Sequence, residues 1–286
     1  MTTTVSTKTV TSRDLWLLFE PIHSVTYFTP EGTSVFEEAG LRGFWRGYFA
    51  GRSAPLGTVG AGAATGAFCS YAPTMVAEAL PSVWAQITPS EALDVRREGA
   101  RAALARLLSG QEERTEQAAE LLSEVAAAPD CAGRTLAAAN AALPWPKDPL
   151  DRLWHAATVL REHRGDGYVA AQTAADLDGC EILLLRTGID LPRSELQPYR
   201  GWSDTEWEEA GQRLKDRGLL TPDGRATEDG RRLHAAIEDT TDRVSARPWA
   251  GTDLHLIAET LTPLADAVAK VLRFPNPVGL PDRPGR

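Results

Sequence analysis

"RLKDRGLLTPDGRATEDGRRLHAAIEDTTD", residues 213–242, is the stretch on which the fold turns. Its first residues close a helix on "RGL", and "TPDGRATEDG" has the composition of a tight turn between two short extended pieces. "RRLHAAIEDTTD" then opens a long helix. Upstream, "GWSDTEWEEAGQRLKDRGLL" supplies the helix being closed, with an N-cap at Ser203 and a capping-box partner at Glu206. Before that, "DPLDRLWHAATVLREHRGDG" reads as an amphipathic helix ending near Gly165. "GYVAAQTAADLDGCEILLLRTG" reads as a short helix, a turn around residues 177–179 and a second helix stopped at Gly188. The order is helix, helix, helix, two-stranded turn, helix.

That order is the order of a winged helix. The quoted stretch resembles the recognition helix, wing and following helix of regulators of the multiple-antibiotic-resistance class, through "RGL", "T..G" and "I...TD". The resemblance covers roughly residues 150–245 and implies a winged-helix domain over residues 150–273. An internal echo, "DLW" at 14–16 with "AGLRG" at 39–43 against "RLW" at 152–154 with "ADLDG" at 175–179, suggests a divergent second copy over residues 14–145. The proline-rich "LPWPKDP", residues 143–149, is the expected boundary. The expected class is therefore mainly α with small two-stranded wings, a tandem winged-helix (helix-turn-helix) arrangement. A disordered leader over residues 1–13 and a proline-rich tail over residues 274–286 flank it. The whole chain also resembles a group of actinobacterial proteins that carry a helix-turn-helix label, through "EPIHSVTYFTPE", "GLRGFWRGYFAGRSAPLG", "RGDGYVAAQ..ADLDGCE" and "NPVGLP". This second resemblance implies the fold rather than an activity.

Composition excludes several roles. Acidic residues outnumber basic ones, 39 to 30, giving a net charge of −9 over 286 residues, so nothing overall attracts phosphate backbones or anionic membranes. Cys69, Cys131 and Cys180 are too few and too scattered for a disulfide framework, which fits a reducing cytoplasm. His155 and His163 flank Glu162 with no zinc spacing, and no metal is expected. "GAGAATG", residues 60–66, lacks the lysine of a phosphate loop, so no nucleotide or other cofactor is expected. The uncharged run 53–77 is rich in small residues and contains two prolines; it reads as protein interior, not a membrane span.

A DNA-reading helix presents arginine, lysine and amides to the major groove. Here the candidate recognition helix begins with Asp204, Glu206, Glu208 and Glu209, and the wing sets Arg225 against Asp223, Glu228 and Asp229. DNA is a disfavoured partner on this pattern, and a ligand-responsive transcription regulator is the alternative reading.

Two stretches carry the candidate chemistry. In "FEPIHSVTYF", Glu20, His23 and Tyr27 fall on one side of a helix, where a carboxylate beside a histidine would raise its pKa and hold its tautomer for general-base work. In "GLRGFWRGYFAGRSAPLG", residues 40–57, Gly43, Gly47 and Gly51 form a stripe open to a close-packed neighbour, for which the following small-residue run is the expected partner. The other face of that helix gathers Trp45, Tyr48, Phe49 and Arg52, with Arg46 nearby. Arg52 is placed for cation–π contact or for clamping a planar anion. Tyr168, Glu181 and Trp202 complete the expected ligand set, with an arginine from the opening segment as the expected partner of Glu181. The pattern points to a small-molecule-binding protein that senses or sequesters an aromatic or polycyclic metabolite, in the manner of self-resistance. A cofactor-independent acid/base enzyme using His23, Glu20 and Tyr27 is a further alternative.

Overall fold

Side-chain caps open most of the longer helices in a computed structural model that describes residues 9–127 and 129–281. Its helices are α1 (Ser12–Phe28), α2 (Pro30–Glu38), α3 (Phe44–Ser53), α4 (Ala61–Ala67), α5 (Pro73–Ala79), α6 (Pro89–Leu107) and α7 (Glu112–Ala126), followed by α8 (Thr135–Ala141), α9 (Pro149–Ala174), α10 (Gly179–Thr187), α11 (Arg193–Leu196), α12 (Asp204–Asp216), α13 (Glu228–Ser245) and α14 (Leu254–Ala269). Reciprocal capping boxes open α1 (Thr11 with Asp14), α6 (Thr88 with Glu91), α10 (Asp178 with Glu181) and α12 (Ser203 with Glu206). Of the leader expected over 1–13, residues 1–8 lie outside the described residues, as do residues 282–286 of the expected tail.

The expected two-stranded wings are absent among the described residues. In place of the second wing, one isolated antiparallel bridge joins Leu220 and Ala226. Proline at position 222 has no N–H to offer a ladder, and Gly224 turns the chain at φ +84°. The Ala226 N–H is already spent on the Gly188 carbonyl at 2.9 Å. Thr221 N–H to Arg225 O at 2.8 Å and Thr227 N–H to Leu219 O at 3.1 Å flank that one bridge, but α12 gives way only at Gly218 (φ +71°) and Thr227 already caps α13, so the pair has no room to lengthen into strands. The N-terminal half holds helices and turns only. The fold class is helical.

Two helices also differ from the sequence expectation. α9 continues through Gly165 and Gly167 to Ala174. Gly167 lies against the Arg134 guanidinium and Val244, where a Cβ would come within 3.0 Å of the valine methyl. The space the glycine leaves lets Arg134 donate to the His163 and Val244 carbonyls, set against a helix-propensity cost of about 1 kcal/mol per glycine. α13 is not the last long helix, because Asp253 caps α14, whose Ile257, Leu261, Leu264 and Val268 face the core.

Three apolar cores result. α1, α6, α7, α9 and α14 meet around Leu15, Ile22, Leu104, Leu122 and Leu153. α2 to α5 enclose Phe36, Phe49, Phe68 and Tyr71. α10 to α13, with the end of α9, enclose Ile182, Leu185, Trp207, Leu214 and Ile237. The glycine stripe of α3 seats a ring and not the small-residue run: a Cβ on Gly47 or Gly51 would sit 2.7 Å from Phe36 atoms. Gly43 is spent differently, as the N-cap of α3 at φ +88°. An ion quartet ties α13 to the first core. Asp242 receives Arg13 and Arg164, each at 2.6 Å, and Glu238 receives the same two arginines at 2.6 and 3.2 Å.

Candidate functional site

The three cores leave a cavity of about 580 Å³ between them. α1, α3, α9, α10 and the segments around residues 67–71, 196–200 and 273–279 all reach its wall. Ten aromatic rings line it, among them Trp16, Trp45, Phe68, Tyr71 and Tyr168. Six guanidinium groups, Arg52, Arg161, Arg164, Arg186, Arg200 and Arg273, stand against four carboxylates, Glu20, Glu162, Asp166 and Glu238. The lining is thus cationic inside a chain that is anionic as a whole.

Its polar centre is built on α9. Glu162, 2 % exposed, takes Arg52 through both oxygens, from Nε at 3.1 Å and from Nη2 at 3.0 Å. It also accepts Arg161 Nη1 at 2.9 Å. Burial pushes the Glu162 carboxyl up, but Arg161 and Arg52 outweigh it and hold the group ionised well below the usual carboxylate range. Arg161 reaches on to Glu20 at 3.4 Å, and Trp16 donates to the other Glu20 oxygen at 3.0 Å. Buried Asp166 is raised to about 6, chiefly by burial, while accepting the Ala137 N–H at 2.9 Å.

Tyr48 faces this centre from α3. Its oxygen accepts Arg52 Nη1 at 2.9 Å and the Tyr71 hydroxyl at 2.6 Å. Burial raises a phenol, yet the charges of Arg52, Arg161 and Arg200 and the Tyr71 hydrogen bond bring Tyr48 below its ordinary value. Tyr27 and Tyr71 move the other way, chiefly through burial.

His23 and Tyr27 form a directed pair. The Thr158 hydroxyl donates to the Trp154 carbonyl at 2.8 Å, so it can only accept from His23 Nδ1, 3.0 Å away. His23 Nε2 is therefore the bare nitrogen, and it accepts the Tyr27 hydroxyl at 3.0 Å. Burial, then Arg161, lowers His23 well below the usual histidine value and keeps it neutral. With the imidazole lowered and the phenol raised, the proton stays on Tyr27, and the contact is a hydrogen bond that orders the two rings.

The structure places the remaining expected residues as follows. Glu20 does not bond His23; Thr158 sets the tautomer instead, and the histidine pKa falls instead of rising. Glu20, Tyr27, Trp45, Tyr48, Arg52 and Tyr168 line the large cavity together. Arg52 is held by Glu162 and lies 4.6 Å over the Phe68 ring. Phe49 is fully buried in the second core, and Arg46 turns outward to Ser82 at 3.1 Å. Glu181 pairs with Arg213 at 2.8 Å and lies 3.8 Å from Arg217, both following it in the chain, and not with an arginine of the opening segment. Trp202 packs between the second and third cores and donates to the Ser70 carbonyl at 3.0 Å. Burial pushes the Cys180 thiol to about 12. Among the described residues no group of three His, Cys, Asp or Glu side chains is placed to hold a metal ion, and no helix is long and apolar enough to cross a membrane.

The profile of a helix-turn-helix family matches residues 12–275. The chain belongs to that family. Neither a curated protein nor a solved structure matches it. α10 packs on α12 and contributes Ile182, Leu183 and Arg186 to the cavity wall. Ile237 of α13 enters the third core, and Asp242 of the same helix holds the arginines of α1 and α9.

Proposed function

We propose that the protein binds a planar aromatic molecule carrying an anionic group in the larger cavity, on a helix-turn-helix scaffold. The observation that carries this reading is the pairing of an aromatic lining with an excess of guanidinium groups in a space of about 580 Å³, a size suited to a small-molecule ligand. Arg200 stacks 4.7 Å over Tyr71 and faces the same space, giving an anion a cation beside a flat ring. The test uses 8-anilinonaphthalene-1-sulfonate, an aromatic anion whose emission rises in apolar surroundings. Saturable one-to-one binding to the native protein is expected, weakened at least tenfold by Ala67→Trp, which fills the cavity from its rim. Unsaturable binding, or binding indifferent to that substitution, overturns the reading.

A ligand-responsive regulator is the second reading, favoured by the presence of α10 in both the cavity wall and the helix-turn-helix packing. Against it, the basic residues of that unit are largely engaged internally: Arg193 with Asp204, Arg213 with Asp178 and Glu181, Arg225 with Asp223, and Arg232 with Asp229. These pairs support a scaffold whose phosphate contacts have been lost. Mobility shifts on duplex DNA at low and at physiological salt, with and without the sulfonate probe, separate the two. Salt-sensitive, probe-dependent complexes favour the regulator.

A further inference from the structure

A smaller cavity of about 310 Å³ shares Tyr27, Phe44, Tyr48, Arg52 and Glu162 with the larger one, and extends to the opposite side, between α1, α2, α3, α6 and α9. Arg96 of α6 lines it and is 7 % exposed. Its Nη1 donates to the Gly51 carbonyl at 3.0 Å and its Nη2 to Asn140 Oδ1 at 2.9 Å. Both acceptors are neutral. A guanidinium has five N–H donors, so the remaining three have no acceptor among the described residues.

The charge is as exposed to the cavity as the hydrogen-bonding capacity. The carboxylate whose field favours charged Arg96 is Glu162, and both Glu162 oxygens are occupied by Arg52 and Arg161. Burial accordingly lowers Arg96 to about 10, whereas Arg52, with its carboxylate in contact, is raised. A buried cation without a counter-charge is costly, and an arriving anion relieves that cost. The guanidinium also lies 5.4 Å from the Trp154 ring centre, within cation–π range. The rest of the wall is suited to an apolar body, with Phe36, Leu41 and Trp154 on one hand and Thr26 and Thr33 on the other.

We propose that the smaller cavity is a second ligand site, specific for a single-ring carboxylic acid whose carboxylate pairs with Arg96 and whose ring lies against Phe36 and Leu41. The geometry favours a carboxylate because a planar two-oxygen acceptor matches a guanidinium edge, which a spherical anion does not. The volume limits the body to about one ring. This site does not depend on occupancy of the larger cavity.

The probe is 4-bromobenzoate, compared with its neutral isostere 4-bromobenzamide on the full chain by calorimetry. The acid is expected to bind at least tenfold more tightly, and Arg96→Gln is expected to abolish the difference. Anomalous scattering from crystals soaked with the acid should place bromine among Phe36, Leu41 and Thr33. Equal affinities overturn the proposal, as does chloride competing as well as the acid. Bromine found only in the larger cavity also overturns it while leaving the first reading in place, and absence of any binding overturns it outright. Should Arg96→Gln not fold, the wild-type ratio and the bromine position still decide.

Discussion

At the scale of single residues, the centre of this protein is a question of which groups carry charge. Arg52 and Arg161, half-buried, hold Glu162, with Arg161 also reaching Glu20, while buried Arg96 nearby has neutral partners only. Tyr48 is the group best placed to respond, since its oxygen takes donors from Arg52 and Tyr71 and no neighbouring carboxylate bonds it. A phenolate there would be stabilised by the charges that already lower its pKa, whereas Tyr27, Tyr71 and Tyr168 are held as phenols by burial. An alkaline titration followed by tyrosinate absorbance should therefore show one tyrosine ionising before the ordinary value of 10.0. Tyr48→Phe should remove that early step and leave the later ones. An early step that survives the substitution assigns it elsewhere and sinks the account.

At the scale of elements, α10 is held by contacts that leave no room for a side chain. The Gly179 backbone lies directly on the Cys69 carbonyl, and a Cβ there would also come within 3.2 Å of Ser70 Cα. Cys69 and Ser70 belong to the cavity wall, so this glycine joins α10 to the site. Gly179→Ala should cost about 1–3 kcal/mol in urea unfolding through overpacking, and should weaken binding of the sulfonate probe as the wall moves. Unchanged stability would mean that the loop yields freely. The same contact shows what sequence can and cannot reveal. The start of α12 is legible from Ser203 and Glu206, because caps are local. The continuation of α9 past two glycines is not, because Arg134 and Val244 reach it from distant parts of the chain. The absent wing has a local cause that the turn composition hid: α12 runs to Asp216, close before the bridge at Leu220, and Thr227 caps α13 directly after Ala226. In the site, the aromatic and arginine face of α3 is readable from its spacing. Glu162, Thr158, Tyr71 and Arg96 were missed as partners, since they come from other elements and carry no local signature. A carboxylate beside Arg161 and near Arg164 in a helix otherwise buried was the one available hint.

At the scale of the whole molecule, proton balance between the folded and unfolded chain sets how stability responds to pH. His155 is lowered to about 4, chiefly by burial and then by Arg96. His163 is lowered to about 4 by burial and Arg134, and His23 and His234 are lowered also. The unfolded histidines bind protons below their ordinary value of 6.5, while the folded ones remain neutral, so unfolding takes up protons and stability falls as pH drops below 6.5. Asp166 works in the opposite sense. Raised to about 6 from 3.8, it binds a proton in the folded state first, and contributes stability that is lost as pH rises through that window. Between pH 7 and pH 5 His155 alone costs about 2 kcal/mol, against about 1 kcal/mol returned by Asp166. With three further histidines acting in the same direction, the urea midpoint should fall steadily over this range. His155→Leu should flatten part of that fall, since the site is apolar and lies 4.7 Å from the Trp145 ring. A midpoint that is constant or rises toward pH 5 would show that these histidines are protonated in the folded chain, and that the buried centre is more hydrated than its packing indicates.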